Sequence, residues 1–150
     1  MNTNPKFNDV VPAAEEPKSS RRILPMIARL LMGLMFFVFG LNGFLHFIPQ
    51  PKELPPEVAS FMGAFMKAGY MFPLIFGMQL LVGVLLLLNR FVPLALVLIA
   101  PVIVHIVAFH LFLNLSGIVP GAVILLLELY LAWAYRSAFC PMLRARVSPD

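Results

Sequence analysis

Three long uncharged stretches dominate the chain: Leu30 to Pro51, Ala68 to Asn89 and Phe91 to Leu127. A helix crossing ~30 Å of hydrocarbon needs roughly 20 mostly apolar residues, so each of the first two suits one crossing. The third is too long for one, and Asn114-Leu115-Ser116-Gly117 interrupts it with turn-forming residues. The pattern therefore predicts four transmembrane helices over about 24–45, 71–88, 92–113 and 118–136. The last of them closes on Trp133, Tyr135 and Arg136, aromatic and basic residues of the kind that anchor a helix at the membrane–water boundary.

The link between the first two helices carries a pattern of its own. Pro49, Pro51, Pro55 and Pro56 keep its first half extended. Val58, Phe61, Met62, Phe65 and Met66 then recur at i, i+3, i+4, i+7 and i+8, opposite Glu57, Ser60, Ala64 and Lys67. Such a stripe, starting just behind a proline pair, predicts a short amphipathic helix. It either lies flat on the outer membrane surface or forms a lid over the loop ends.

Composition fixes the solvent. Apolar residues make up 61% of the 150 positions and charged residues 12%, and the mean hydropathy is +0.91. A soluble domain carries roughly 25% charge, so this chain lacks the polar groups to cover its own surface. The expected class is an all-α membrane protein, a four-transmembrane-helix bundle with the short interfacial helix between helices 1 and 2. A water-soluble enzyme and a disordered protein are excluded. The single cysteine, Cys140, excludes a disulfide-stapled domain. The net charge of +4 lies mostly in the tails and forms no basic face for nucleic acid.

Residues 1–22 are polar and aperiodic, with Pro5, Pro12 and Pro17, and read as a flexible tail rather than a signal peptide. The transmembrane domain is expected over 23–138, with a short basic tail over 139–150. With both termini on one side, that side receives Lys6, Lys18, Arg21, Arg22, Arg29, Arg90, Arg136, Arg144 and Arg146. Only Lys52 and Lys67, offset by Glu53 and Glu57, fall on the other. Such a bias places both termini in the cytoplasm of a bacterial inner membrane. The lone thiol of Cys140 then faces a reducing compartment.

Polar side chains within hydrocarbon are expensive, so each needs a partner or a purpose. At ~1.5 Å per residue, Gln79, His105 and Glu128 fall near the midplane, and Arg29 lies roughly 7–8 Å away, within reach of its long side chain. An outer layer holds Asn42, His46, His110 and Asn114, as two i, i+4 pairs that each share one helix face. These four are the candidate ligand-binding residues, with Phe61 and Phe65 of the amphipathic helix as a roof. Glu128 admits two readings: an interhelical tie to Arg29 or Gln79, or a group that exchanges protons or holds a polar ligand head. Gly33, Gly40 and Gly43, and Gly117 with Gly121, permit close helix approach. His105 and His110 lie ~140° apart around their helix and cannot share one ion. No Cys or carboxylate sits near them at ligand spacing, so no intrinsic metal or haem is expected. Ser116 has no arranged base, and no catalytic residue is assigned.

Several runs together resemble the DoxX family. They are Ala28-Arg29-Leu30-Leu31-Met32-Gly33 continuing to Asn42, the proline-rich loop, and Gly83-Val84-Leu85-Leu86-Leu87 followed by Arg90-Phe91-Val92-Pro93-Leu94-Ala95. Ala100-Pro101-Val102-Ile103-Val104-His105-Ile106, Phe109-His110-Leu111 and Leu131-Ala132-Trp133-Ala134-Tyr135-Arg136 complete the pattern, across about residues 21–143. The resemblance implies a small four-helix protein of the bacterial inner membrane, linked in some relatives to a quinone-reducing sulfur oxidoreductase. Distant relatives act in protein assembly and trafficking. Two positions depart from the family pattern: Gln79 stands where similar proteins often carry an acid, and His105 where they often carry Asn.

Two function classes follow. One is an accessory subunit of a quinone-linked membrane redox complex, with a quinone or lipid pocket in the outer polar layer. The other is a non-catalytic scaffold or assembly partner, whether of a larger membrane complex or of further copies of itself. No flavin, nicotinamide or iron–sulfur motif is present, so redox chemistry would need a partner subunit or a bound quinone.

Overall fold

The computed structural model describes residues 20–49 and 53–142. Most of the two expected tails, 1–19 and 143–150, and the loop residues 50–52 lie outside the described residues. Among the described residues six α-helices follow in order: α1 Ser20–Leu45, α2 Pro56–Ala68, α3 Met71–Leu87, α4 Val92–Phe112, α5 Ile118–Ala134 and the short α6 Arg136–Phe139. A single 3₁₀ turn over Leu115–Gly117 precedes α5, and no strand forms among the described residues.

Among the described residues three stretches are long and apolar enough to cross a membrane: Ile23–Leu45, Val92–Phe112 and Leu115–Ala134. The chain is an all-α membrane protein. α3 has 17 residues, and it joins α2 at an 89° bend, so the pair forms either a broken span or a re-entrant loop. Gly69, at φ 76°, turns the chain between them, a conformation open to glycine at little cost.

The four long helices close into a ring in which α1 packs on α3, α3 on α4, α4 on α5 and α5 back on α1. α1 and α3 run antiparallel and make the most extensive contact. Glycines let their backbones touch. A Cβ on Gly40 would lie 2.5 Å from the Leu80 amide nitrogen, and one on Gly83 would collide with the backbone of Phe37. The core inside the ring is apolar, with Met32 and Phe36 from α1, Val82 and Leu86 from α3, Ile99 and Ile103 from α4, and Ile124 and Leu131 from α5.

The amphipathic stripe of α2 divides as expected. Val58 is buried and Phe61, Met62 and Phe65 are half-buried, while Glu57, Ser60, Ala64 and Lys67 are exposed. Met66, the last member of the apolar stripe, is exposed instead. Glu57 in the first turn and Lys67 in the last oppose the helix dipole, which suits both ends.

Candidate functional site

The eight candidate polar residues separate by how their hydrogen bonds are spent. At the end of the ring where α1 finishes, Asn42 Oδ1 accepts from the Ile48 backbone N–H at 2.7 Å and terminates α1. His46, held at φ 53° and exposed, closes the same turn, its backbone N–H donating to the Asn42 carbonyl at 2.8 Å. Across the α4–α5 connection, His110 Nδ1 lies 3.0 Å from the Asn114 carbonyl oxygen. Asn114 Oδ1 accepts from Ser116 Oγ at 2.6 Å and from the Ser116 backbone N–H at 3.3 Å. The His110 ring occupies the space that a side chain on Gly117 would need, which explains a glycine there. Both pairs therefore act as local helix-end caps, and among the described residues no hydrogen bond joins one pair to the other.

The expected roof sits elsewhere. Phe61 and Phe65 stack on His105, at ring-centroid distances of 5.9 and 5.6 Å, and Phe61 also meets Phe109 at 5.6 Å. Phe65 continues to Phe72, and Phe72 to Phe76, so α2 is fastened to α3 and α4 by a chain of aromatic rings. His105 is a docking point for α2. Its face of α4 opposes α2, whereas the core face of that helix carries Ala95, Ile99 and Ile103.

Arg29, buried in α1, does not make the tie to Glu128 that the sequence left open to it. Its Nη1 donates to the Leu86 carbonyl, and to the Leu87 carbonyl at 3.4 Å. These carbonyls lie at the end of α3, where the helix dipole is negative, and the Leu86 carbonyl also accepts from the Asn89 backbone N–H at 3.2 Å, so the guanidinium adds to the cap of α3. With Arg29 engaged there, two acceptors are left inside the ring. Gln79 Oε1 on α3 and Glu128 Oε2 on α5 are buried without a hydrogen-bond partner. A buried acceptor left unpaired costs about 1–3 kcal/mol, more when charged.

Glu128 is the one that meets open space. It is 7% exposed and lies on the inward stripe of α5 with Gly121, Ile124 and Leu131. That stripe follows from its spacing of three and four residues. A groove of about 770 Å³ opens between α4 and α5, with Leu96, Val97 and Ala100 on one wall and Glu128 and Ala132 on the other. The alanines make the room. Arg136, Ser137 and Cys140 form its mouth, beside the turn into α6. Arg136 faces Trp133: its Nη1 donates to the Trp133 carbonyl at 3.1 Å, and the guanidinium carbon lies 4.8 Å from the indole centroid. The exposed Cys140 thiol points 3.5 Å from the Arg136 carbonyl. Among the described residues no three His, Cys, Asp or Glu side chains gather as a metal site.

Sequence reasoning named Glu128 but not the groove. The signal was present in the small residues Ala100 and Ala132.

Fold and site define a small membrane protein with an apolar groove that ends on a buried carboxyl group. The chain is similar to the uncharacterized protein YwoB of Bacillus subtilis (strain 168), at 28% identity over 135 residues spanning 85% of this chain and 86% of that protein. The likeness thus runs the length of both chains rather than through one motif. No family model matches the chain, and no solved structure matches it.

Proposed function

We propose that the chain is a DoxX-like accessory subunit of a quinone-linked complex in the bacterial inner membrane, and that its groove holds the head of a lipid-soluble molecule. The observation that carries this reading is that Glu128, whose Oε2 is buried without a hydrogen-bond partner, lines a groove whose walls are otherwise apolar. An isoprenoid quinone in its reduced, hydroxyl-bearing form fits that description, with the ring between the alanine-rich walls and a hydroxyl donating to Glu128. The ligand site is thereby moved from the Asn42, His46, His110 and Asn114 layer, whose polar atoms serve as helix caps, to the opposite half of the ring.

In this reading α3 is the fourth crossing and α2 lies along the outer interface, its Glu57/Lys67 face toward water and its Phe61/Phe65 face on the ring. Both termini and Arg90 are cytoplasmic, following the excess of Lys and Arg on that side. Arg136 and Trp133 then mark the cytoplasmic boundary near the mouth of the groove, a pairing favoured at such interfaces.

A second reading, a non-catalytic assembly partner, is favoured by the outer polar layer, where Asn42 Oδ1, His110 Nδ1 and Asn114 Oδ1 are engaged in local helix-end hydrogen bonds. The two are separated by purifying the protein in mild detergent and analysing bound small molecules by mass spectrometry. Quinone should co-purify with the wild type and fall at least about tenfold with Glu128→Leu, the worth of one lost hydrogen bond to a charged group. A constant protein partner with no bound quinone in either form would leave the scaffold reading.

A further inference from the structure

Glu128 is the one polar side chain on the α4 and α5 walls of the groove, among Leu96, Val97, Ala100 and Ala132. Glu128 Oε2 is an acceptor with no donor, on a side chain more than nine-tenths buried. On the facing wall, Val97 precedes Pro101 by four residues inside α4. Proline has no backbone N–H, so the Val97 carbonyl loses the donor that the next helical turn would supply. At the mouth, Arg136 Nη1 is turned to the Trp133 carbonyl and the Cys140 thiol to the Arg136 carbonyl, and the Ser137 hydroxyl lies at the same end. Leu96, Ala100 and Ala132 supply no polar side chain. Between these walls, Glu128 Oε2 is an acceptor to which the chain brings no donor.

We infer that the groove selects amphiphiles whose head donates hydrogen bonds, an ammonium or a hydroxyl, over heads that carry only carbonyl or ether oxygens. This rests on the reading of the groove as a binding site and names the chemistry of its ligand. A carbonyl oxygen brought against Glu128 would place two acceptors together and leave both without partners, a cost that an N–H or O–H removes. An ammonium adds charge complementarity to the carboxylate. For a quinone couple, the rule favours the hydroxyl-bearing reduced form.

Three probes with the same twelve-carbon skeleton test this: dodecylamine, 1-dodecanol and 2-dodecanone. Each is titrated into the full-length protein in phosphatidylcholine nanodiscs, reading the emission of Trp133, the sole tryptophan, whose indole lies against Arg136 at the groove mouth. The amine and the alcohol should bind at least about tenfold more tightly than the ketone, as expected for one hydrogen bond to a charged acceptor. Glu128→Leu should bring the three within threefold of one another. Glu128→Gln, which preserves shape if the leucine variant does not fold, should retain alcohol binding and lose the advantage of the amine. Equal affinities in the wild type, or a donor preference that persists in both variants, would overturn the inference. If quinone still co-purifies in that event, the groove stands as a site and only its selectivity is wrong. If no probe binds and no quinone co-purifies, both readings fall.

Discussion

The backbone contact between α1 and α3 makes a quantitative prediction through a pair of glycines. Replacing Gly40 by Ala puts a Cβ 2.5 Å from the Leu80 nitrogen and 2.9 Å from both the Leu80 Cα and the Phe76 carbonyl oxygen. The first distance is about 0.9 Å short of the 3.4 Å at which ordinary contact begins. All three neighbours are backbone, so no rotamer change relieves them and the helices must part. A gap approaching 1 Å forfeits roughly a quarter to a half of each dispersion contact along the seam. Overpacking of this kind costs about 2–3 kcal/mol, against about 1 kcal/mol gained from the better helix propensity of alanine. The net loss of about 1–2 kcal/mol corresponds to a midpoint roughly 3–8 °C lower for a chain of this size. Gly77, on α3, has no atom within 4 Å of its own Cβ position and provides the control. Gly77→Ala should match or slightly exceed the wild type. The assay is the fraction of monodisperse protein left after heating in one detergent. If Gly40→Ala melts with the wild type, or Gly77→Ala falls as far, the glycine seam is not what holds the two helices together.

Two further outcomes follow from the same geometry. Arg29→Met should lower the midpoint by an amount equivalent to about 1–3 kcal/mol, because the Leu87 carbonyl loses its guanidinium donor and the Leu86 carbonyl keeps only its backbone one, and Arg29→Lys should recover part of it. A methionine variant as stable as the wild type would show that α3 needs no cap. In a Cys140→Ser background, cysteines at positions 52 and 116 should react with an impermeant thiol reagent from the periplasmic side and one at position 90 should not. The reverse pattern would invert the proposed orientation.

The hydrophobic periodicity was legible almost to the residue where one period governed. The ends of α3, α4 and α5 fall close to those read from uncharged runs and turn residues, because apolar length and the Asn114–Gly117 interruption leave few alternatives. α1 begins at Ser20 rather than near 24, since Pro25 is accommodated inside its first turns. The α2 stripe was also legible, since one face had to be buried against something. What it would cover was not. The pattern identifies Phe61 and Phe65 as inward but cannot say that His105 lies beneath them, because an aromatic ring and an imidazole offer alike flat faces. Arg29 was misjudged for a related reason. Sequence displays side chains that could pair with a guanidinium, such as Glu128, and hides the backbone carbonyls at the end of α3 that it reaches instead. The outer asparagines had the opposite ambiguity, because a residue able to bind a ligand head is equally able to cap a helix.

These misplacements bear on one another. Once Arg29 is fixed at the end of α3, it cannot serve Glu128, and the carboxyl group is left without the partner that would have made it structural glue. The ring is then unequal in its two halves. Along α1 and α3 the glycines bring backbone against backbone, leaving no room for a ligand. Between α4 and α5, alanines at comparable depth leave a groove instead, and the turn into α6 sets Arg136, Ser137 and Cys140 at its mouth. Small residues thus produce opposite results in the two halves, since a small side chain closes a gap only when the facing helix can approach. The buried carboxyl falls in the half that stays open. A cost of about 1–3 kcal/mol for an unpaired acceptor is a large fraction of the stability of a small domain. A partner that supplies a donor from outside the chain removes that cost on binding, which is the physical reason to look for the ligand at Glu128.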